Sequence, residues 1–288
     1  MSNRKRIVIK IGTSTLTHES GHIHIRRFEE LIKVLADLQN GGIQLILVSS
    51  GAIAVGMGKV GLRQKPSDIP GKQACAAIGQ CELMHLYDVA FGRFGHDVAQ
   101  LLLTKDIIED PNRVCHVQNT LEKLLEMQII PIINENDTIA IEEIVFGDND
   151  TLSAIVSVLA DADGLIILSD IDGLYTANPR TDQTAQLIPR VDLRTERVDD
   201  LAEGVGTSRG TGGMITKLQA AKLCHENDIP MWIMNSADTT NLYRWFDGKP
   251  VGTYFVPKGE KDDKRLRNRA ASQVCQDRYG AAVQAGQE

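Results

Sequence analysis

No apolar run in this chain approaches the ~20 residues that a helix needs to cross a bilayer, and the N-terminus has neither an apolar core nor a small-residue cleavage pattern. Neither a membrane span nor a secretion signal is therefore expected, and the protein reads as soluble and cytoplasmic. Positive charge is also in short supply. The formal net charge is −7 at pH 7, which argues against a surface built to neutralise nucleic acid phosphates or to coat an anionic membrane. Any anion site must be local. The cysteines Cys75, Cys81, Cys115, Cys224 and Cys275 are odd in number and include no CxxC pair, so neither a disulfide framework nor a thiolate zinc site is indicated. They read as reduced residues, mostly packing. No GxxxxGK[ST] segment occurs, which removes the usual P-loop signature.

The chain has 288 residues, 42% hydrophobic and 24% charged, enough to bury a full core, and α/β folds of this size are commonly one domain. Strand patterns fall at 6–11, 43–50, 129–134 and 165–170, with a short one at 231–234, another at 253–256 and an apolar run at 98–103. Helical patterns occupy 24–39, 72–91, 112–127, 150–160 and 214–227. Near-continuous apolar strands alternating with amphipathic helices imply an α/β fold with a mostly parallel sheet covered on both faces. One domain over 1–256 is expected, followed by a charge-dense tail at 257–288 that reads as a solvated helix or frayed end.

Two glycine-rich segments carry a lysine each. GTGGMITK at 210–217 precedes a helical pattern, and the strand at 6–11 carries Lys10 before breaking at Gly12, Thr13 and Ser14. Backbone amides in a turn or at a helix N-terminus, with a lysine beside them, form an anion site. Such donors, in place before the transition state forms, are what phosphoryl transfer needs. In parallel sheets ligands bind outside the carboxyl ends of the strands, and the polar clusters at 12–14, 49–51, 134–137 and 169–172 fall there.

Acids and amides concentrate at NENDTIA, 134–140, and FGDND, 146–150. Asn134, Asp137, Asp148, Asn149 and Asp150 could grip an ammonium group, orient a lysine or hold water around magnesium. Asn and Asp also favour turns, and Asn149 fits a helix N-cap. GMGKVG at 56–61 matches GxGxxG but runs into the loop around Pro66 and Pro70, a weak dinucleotide signal. His18, His22 and His24 lack clustered Cys or carboxylate ligands and read as a surface hairpin, not a metal site.

Taken in order, Lys10 with Gly12 to Ser14, SSGAI at 49–53, INEND at 133–137, FGDND, SDIDGLYTANPR at 169–180 and GTGGMITK resemble the glutamate 5-kinases of the amino acid kinase family. The resemblance covers residues 4–256. It implies a three-layer αβα sandwich whose N-terminal part holds glutamate and whose C-terminal part holds ATP. The γ-phosphoryl group would pass to the glutamate side-chain carboxylate, giving glutamyl 5-phosphate for proline synthesis. Lys10 and Lys217 match the phosphate-contacting lysines, and Asp150 matches the residue that holds both in position. Ser50, Asn134, Asp137 and Asn149 match glutamate contacts, with the Gly51 amide beside Ser50. Gly12, Ser169, Asp170, Thr211, Gly212, Gly213 and Met214 match the nucleotide site. No direct metal ligand is assigned, and Mg²⁺ is expected on the ATP phosphates. The family further implies a homodimer or homotetramer, feedback inhibition by proline and a functional link to glutamyl phosphate reductase. Many members continue into a PUA module, for which this sequence is too short. Sibling kinases acting on acetylglutamate, aspartate or a nucleoside monophosphate, and a noncatalytic amino acid sensor, are the alternatives.

Overall fold

Strand β1 (Arg6–Ile11) is buried along nearly its whole length. It needs apolar residues on both sides because it lies inside a sheet covered on both faces. The computed structural model describes residues 5–104, 110–139, 149–195 and 213–259. The expected site residues Thr211, Gly212 and Asp148, and nearly all of the expected tail, lie outside these residues. The other strands are β2 (Gln44–Ser49), β3 (Val98–Leu103), β4 (Ile130–Glu135), β5 (Gly164–Ser169), β6 (Arg190–Val191), β7 (Met231–Asn235) and β8 (Thr253–Phe255). Among the described residues they form one sheet in the order β3-β4-β2-β1-β5-β7-β8-β6. Every pairing is parallel except that of β7 with β8.

The helices are α1 (Thr13–Leu16), α2 (Ile25–Asn40), α3 (Ala52–Val60), α4 (Ile69–Gly92), α5 (Pro111–Glu126), α6 (Asn149–Leu159), α7 (Met214–Glu226) and α8 (Thr240–Phe246). They divide between the two faces and complete three layers. Ile7, Ile9 and Ile11 pack with Phe28 and Leu35 of α2 and with Leu83 and Phe91 of α4. Val8 packs on the opposite side with Leu152 of α6 and Leu218 of α7. Side chains alternate along a strand, so Lys10 shares the face of Val8. That parity places its ammonium among α6 and α7.

Boundaries follow local chemistry. The Asp68 carboxylate accepts from Gly71 N at 2.7 Å at the start of α4, and Asp110 accepts from Asn112 N at 2.9 Å at the start of α5, each followed by a proline in the first turn. The imidazole of His24 caps α2 by accepting from Arg27 N at 3.4 Å. His18 N donates to His22 O at 2.9 Å in the expected hairpin, and the His18 ring stacks on His24 with centroids 4.2 Å apart.

GMGKVG, a weak dinucleotide signal that runs into the loop around Pro66 and Pro70, lies mostly in helix α3, which it closes and does not open. Its glycines serve packing: a Cβ at Gly56 would lie 1.9 Å from Cys75 O, and one at Gly79 of α4 would lie 1.8 Å from Ala52 O. The two helices meet backbone to backbone, and side chains would hold them apart. Gly79→Ala should lower stability by about 1–3 kcal/mol through overpacking, measured as a shift in urea midpoint. An unchanged midpoint would show that the helices separate at no cost. Helix α8 and the two-residue β6 also went unread, being too short to show a period.

Candidate active site

Lys10 at the end of β1 and Lys217 in the first turns of α7 converge on one carboxylate. Lys10 Nζ lies 2.7 Å from Asp150 Oδ1, and Lys217 Nζ lies 3.0 Å from Asp150 Oδ2. All three are buried, with Asp150 fully inaccessible and the lysines 8% and 6% exposed. At Oδ1 the attraction of the Lys10 ammonium is mainly coulombic, with a hydrogen-bond contribution at this short distance. Thr216 Oγ1 lies 2.9 Å from Oδ2 and 2.8 Å from Gly213 O, so its proton serves one of the two at a time. Burial by itself raises the Asp150 carboxyl, yet the two ammonium groups outweigh it and hold the group below the usual carboxylate range. Its place in the first turn of α6 adds the favourable end of the helix dipole. Two cations and one anion give the triad itself a formal charge of +1, in a chain that is negative overall.

On one side of β1 lies an amide cluster. Asn149 Nδ2 is 3.0 Å from Ser49 O, 2.9 Å from Ser50 Oγ and 2.9 Å from Asn134 Oδ1. An NH₂ group carries two protons, so three acceptors exhaust it. Asn149 is the first residue of α6 and spends its amide tying together the ends of β2 and β4. Asn134 Nδ2 in turn donates to Gln80 Oε1 at 2.9 Å, and Ser49 Oγ pairs with the Tyr87 hydroxyl at 3.0 Å. Gly51 has φ +99°, a left-handed turn that starts α3 immediately after Ser50. Asp137 follows β4 and is half-buried. Desolvation pushes its carboxyl above the ordinary range, against the opposing pull of Lys65.

On the other side, β5 ends at Ser169, whose hydroxyl donates to Asp170 Oδ1 at 3.3 Å. Asp170 Oδ2 pairs with Arg180 at 2.9 Å. Gly12 and Gly213 have φ of −77° and −78°, so neither is there to supply a left-handed turn. A Cβ at Gly12 would instead stand 3.7 Å from Lys10 Nζ, in the space beside the ammonium. No atom of the described residues lies within 4 Å of a Cβ placed on Gly213, which precedes the N-terminus of α7 at Met214. Thus β4 and β2 end at the amide cluster, β5 ends at Ser169 with Asp170 next in the chain, and β1 with Lys10 runs between them. Thr211 and Gly212 lie outside the described residues.

The Amino acid kinase family model matches residues 5–235. The glutamate 5-kinase of Clostridium perfringens is 50% identical over 262 residues, covering 90% of this chain and 97% of that protein. That of Carboxydothermus hydrogenoformans is 49% identical, covering 92% of this chain and 71% of that protein. That of Listeria innocua is 49% identical, covering 91% and 96%. The chain belongs to the glutamate 5-kinases of the amino acid kinase family. The UMP kinase of Ureaplasma parvum superposes with a TM-score of 0.61 at 15% identity, over 88% of this chain and 100% of that one. The UMP kinase of Bacillus anthracis gives the same score and identity over 89% and 97%. These two likenesses concern the fold alone.

Three polar residues of this kinase are not singled out by the sequence, namely Gln80, Tyr87 and Lys65, and the contact of Thr216 with Asp150 is likewise not foreseen there. Gln80 carried a usable signal. It falls on the buried face of α4 with Ala76, Leu83 and Tyr87, and a buried amide demands partners. Thr216 sits beside Lys217 and reads as an ordinary helix residue until Asp150 is brought to it from 66 positions away. No helix among the described residues is long and apolar enough to cross a membrane.

Proposed function

We propose that this kinase transfers the γ-phosphoryl group of ATP to the side-chain carboxylate of L-glutamate, giving L-glutamyl 5-phosphate, the first step of proline biosynthesis. The observation that carries this reading is the Lys10, Asp150, Lys217 arrangement on β1, between an acceptor side and a donor side.

Attack of one anion on another is electrostatically unfavourable, whereas a carboxylate has no proton to lose before it attacks. Alignment and charge neutralisation are therefore what the protein must supply. Lys217 and the N-terminus of α7, with Gly12, Gly213 and Met214 lining the approach, hold the phosphates of ATP. Lys10 and Lys217 share the charge of the transferring group, and Asp150 fixes both ammonium groups without taking a proton. Ser169 and Asp170 belong to the nucleoside side. The resemblance extends the donor loop to Thr211 and Gly212.

On the acceptor side, Ser50 Oγ accepts from Asn149, which frees its own proton, together with the Gly51 N–H, to hydrogen-bond a substrate carboxylate. Asn134 and Asn149 keep that corner rigid. Asp137 pairs with the α-ammonium group, since a desolvated carboxylate is relieved by a cation. Asp137→Ala should raise the Michaelis constant for glutamate by about tenfold or more, the equivalent of ~1.4 kcal/mol, with turnover less affected. A glutamate response identical to that of the parent would remove this role.

Mg²⁺ enters with ATP. Both Asp150 oxygens face ammonium groups, so the triad offers it no free carboxylate, and the ion fits on phosphate oxygens and water, where it neutralises charge. Residues 1–256 act as one kinase domain, glutamate on its N-terminal part and ATP on its C-terminal part. Proline shares the α-amino acid groups held by Asp137 and Ser50 and competes there as a feedback inhibitor. Family membership supports a homodimer or homotetramer working in the cytoplasm. The acyl phosphate product is labile to water, which favours prompt use by glutamyl phosphate reductase.

The decisive measurement is glutamate-dependent ADP release with hydroxylamine present to trap the acyl phosphate. Glutamyl hydroxamate should form, and aspartate, acetylglutamate and UMP should give none. Product from one of these instead would overturn the acceptor assignment, and ligand binding without ADP release would point to a sensor.

A further inference from the structure

Both tryptophans of the chain, Trp232 on β7 and Trp245 on α8, line one cavity of about 980 Å³. It lies at the end of the sheet opposite the triad. Lys5, on its wall, immediately precedes β1 and stands roughly 16 Å along that strand from Lys10, at ~3.3 Å per residue. The cavity is thus separate from the phosphoryl-transfer site.

Its walls combine rings and cations. Trp232 stacks on Tyr254 with centroids 5.1 Å apart and planes 26° from parallel, and it meets Trp245 edge-on at 5.5 Å and 75°. The Arg190 guanidinium lies 5.8 Å from the Tyr254 ring centroid. This wall is built to close tolerance: a Cβ at Gly164 of β5 would come within 2.8 Å of Trp232 Cζ3. Lys5, Arg190 and Lys249 line the cavity, and no Asp or Glu among the described residues does. Lys249 has a long, exposed pairing with Asp247 at 3.5 Å, while Lys5 and Arg190 have no carboxylate within ion-pair distance among the described residues. An aromatic cluster that merely sealed the sheet would neither line a recess of this volume nor gather cations without acids among the described residues, in a chain of charge −7.

Rings favour a planar partner and uncompensated cations favour an anionic one. The volume sits at the upper end of the ~300–1,000 Å³ usual for small-molecule sites, so inorganic phosphate alone would leave most of it to water. We propose that this cavity binds a planar aromatic ring joined to a phosphate, the chemistry of a nucleoside monophosphate, independently of the nucleotide consumed in the reaction.

Because the cavity holds both indoles, intrinsic fluorescence reports on it directly. AMP titrated into the full chain should quench tryptophan emission saturably below about 1 mM, with adenosine and inorganic phosphate each at least tenfold weaker. Arg190→Gln should weaken AMP about tenfold and leave glutamate-dependent ADP release unchanged. Lys217→Ala should keep the fluorescence response, since the ligand is not in the active site. The proposal is overturned by an AMP response that is absent, that adenosine alone reproduces, that Arg190→Gln leaves unmoved, or that Lys217→Ala abolishes. It is equally overturned if emission changes with protein concentration and not with AMP, which would mean that a second copy of the chain fills the cavity.

Discussion

Asp150→Ala should lower the unfolding free energy by about 3–5 kcal/mol, because it leaves two buried ammonium groups facing each other without their anion. Thermal or urea unfolding reads this directly, and ATP should restore part of the loss, since phosphates then supply the missing negative charge. Activity should fall with stability, and saturating ATP should recover the fold without recovering turnover. The acid dependence has a definite sign. The folded carboxyl is held below its unfolded value, so its contribution is complete above about pH 4 and fades as pH falls through the folded value. The stability gap between parent and Asp150→Asn should therefore be flat at neutral pH and close below about pH 4. A gap that widened in acid would mean that the lysines do not hold this group ionised.

Lys10→Ala and Lys217→Ala should each lower turnover by about 10²-fold or more, the cost of losing one transition-state donor. The double variant should lose far less than the product of the two, because both act on one transferring group through one carboxylate. Their effects on binding should differ. Both should weaken ATP binding, each removing a proposed phosphate-contacting lysine, Lys217 at the start of α7 more than Lys10, which stands on β1 next to the acceptor side. Near-parent turnover in both variants would remove the proposed mechanism.

The sheet was largely readable because its strands are short apolar runs closed by polar turns, and the periodicity of α2, α5 and α6 marks one face clearly. Strand order was not, since it depends on which runs pair across long crossovers. The antiparallel entry of β8 beside β7 leaves no local mark in its sequence. Helix α3 was lost because its glycines mimic a loop, and their reason lies in the partner backbone at Cys75. For the site, lysines and acids at strand ends could be named from residue type and resemblance. The meeting of Lys10, Asp150 and Lys217 could be expected from the family alone, since no spacing rule joins positions so far apart. Gln80 and Tyr87 act from the middle of a helix, where sequence reading assigns packing.

The contact of Gly79 with Ala52 has a consequence for affinity. Ala52 lies two residues after Ser50, and Gly79 directly precedes Gln80, so the bare backbone at that crossing sets the gap between the hydroxyl proposed to meet the ligand and the amide bracing Asn134. The missing methyl group of Gly79 thereby acts as a spacer. Selection on glutamate recognition in this enzyme can work through the distance between two helices as well as through any atom that touches the amino acid.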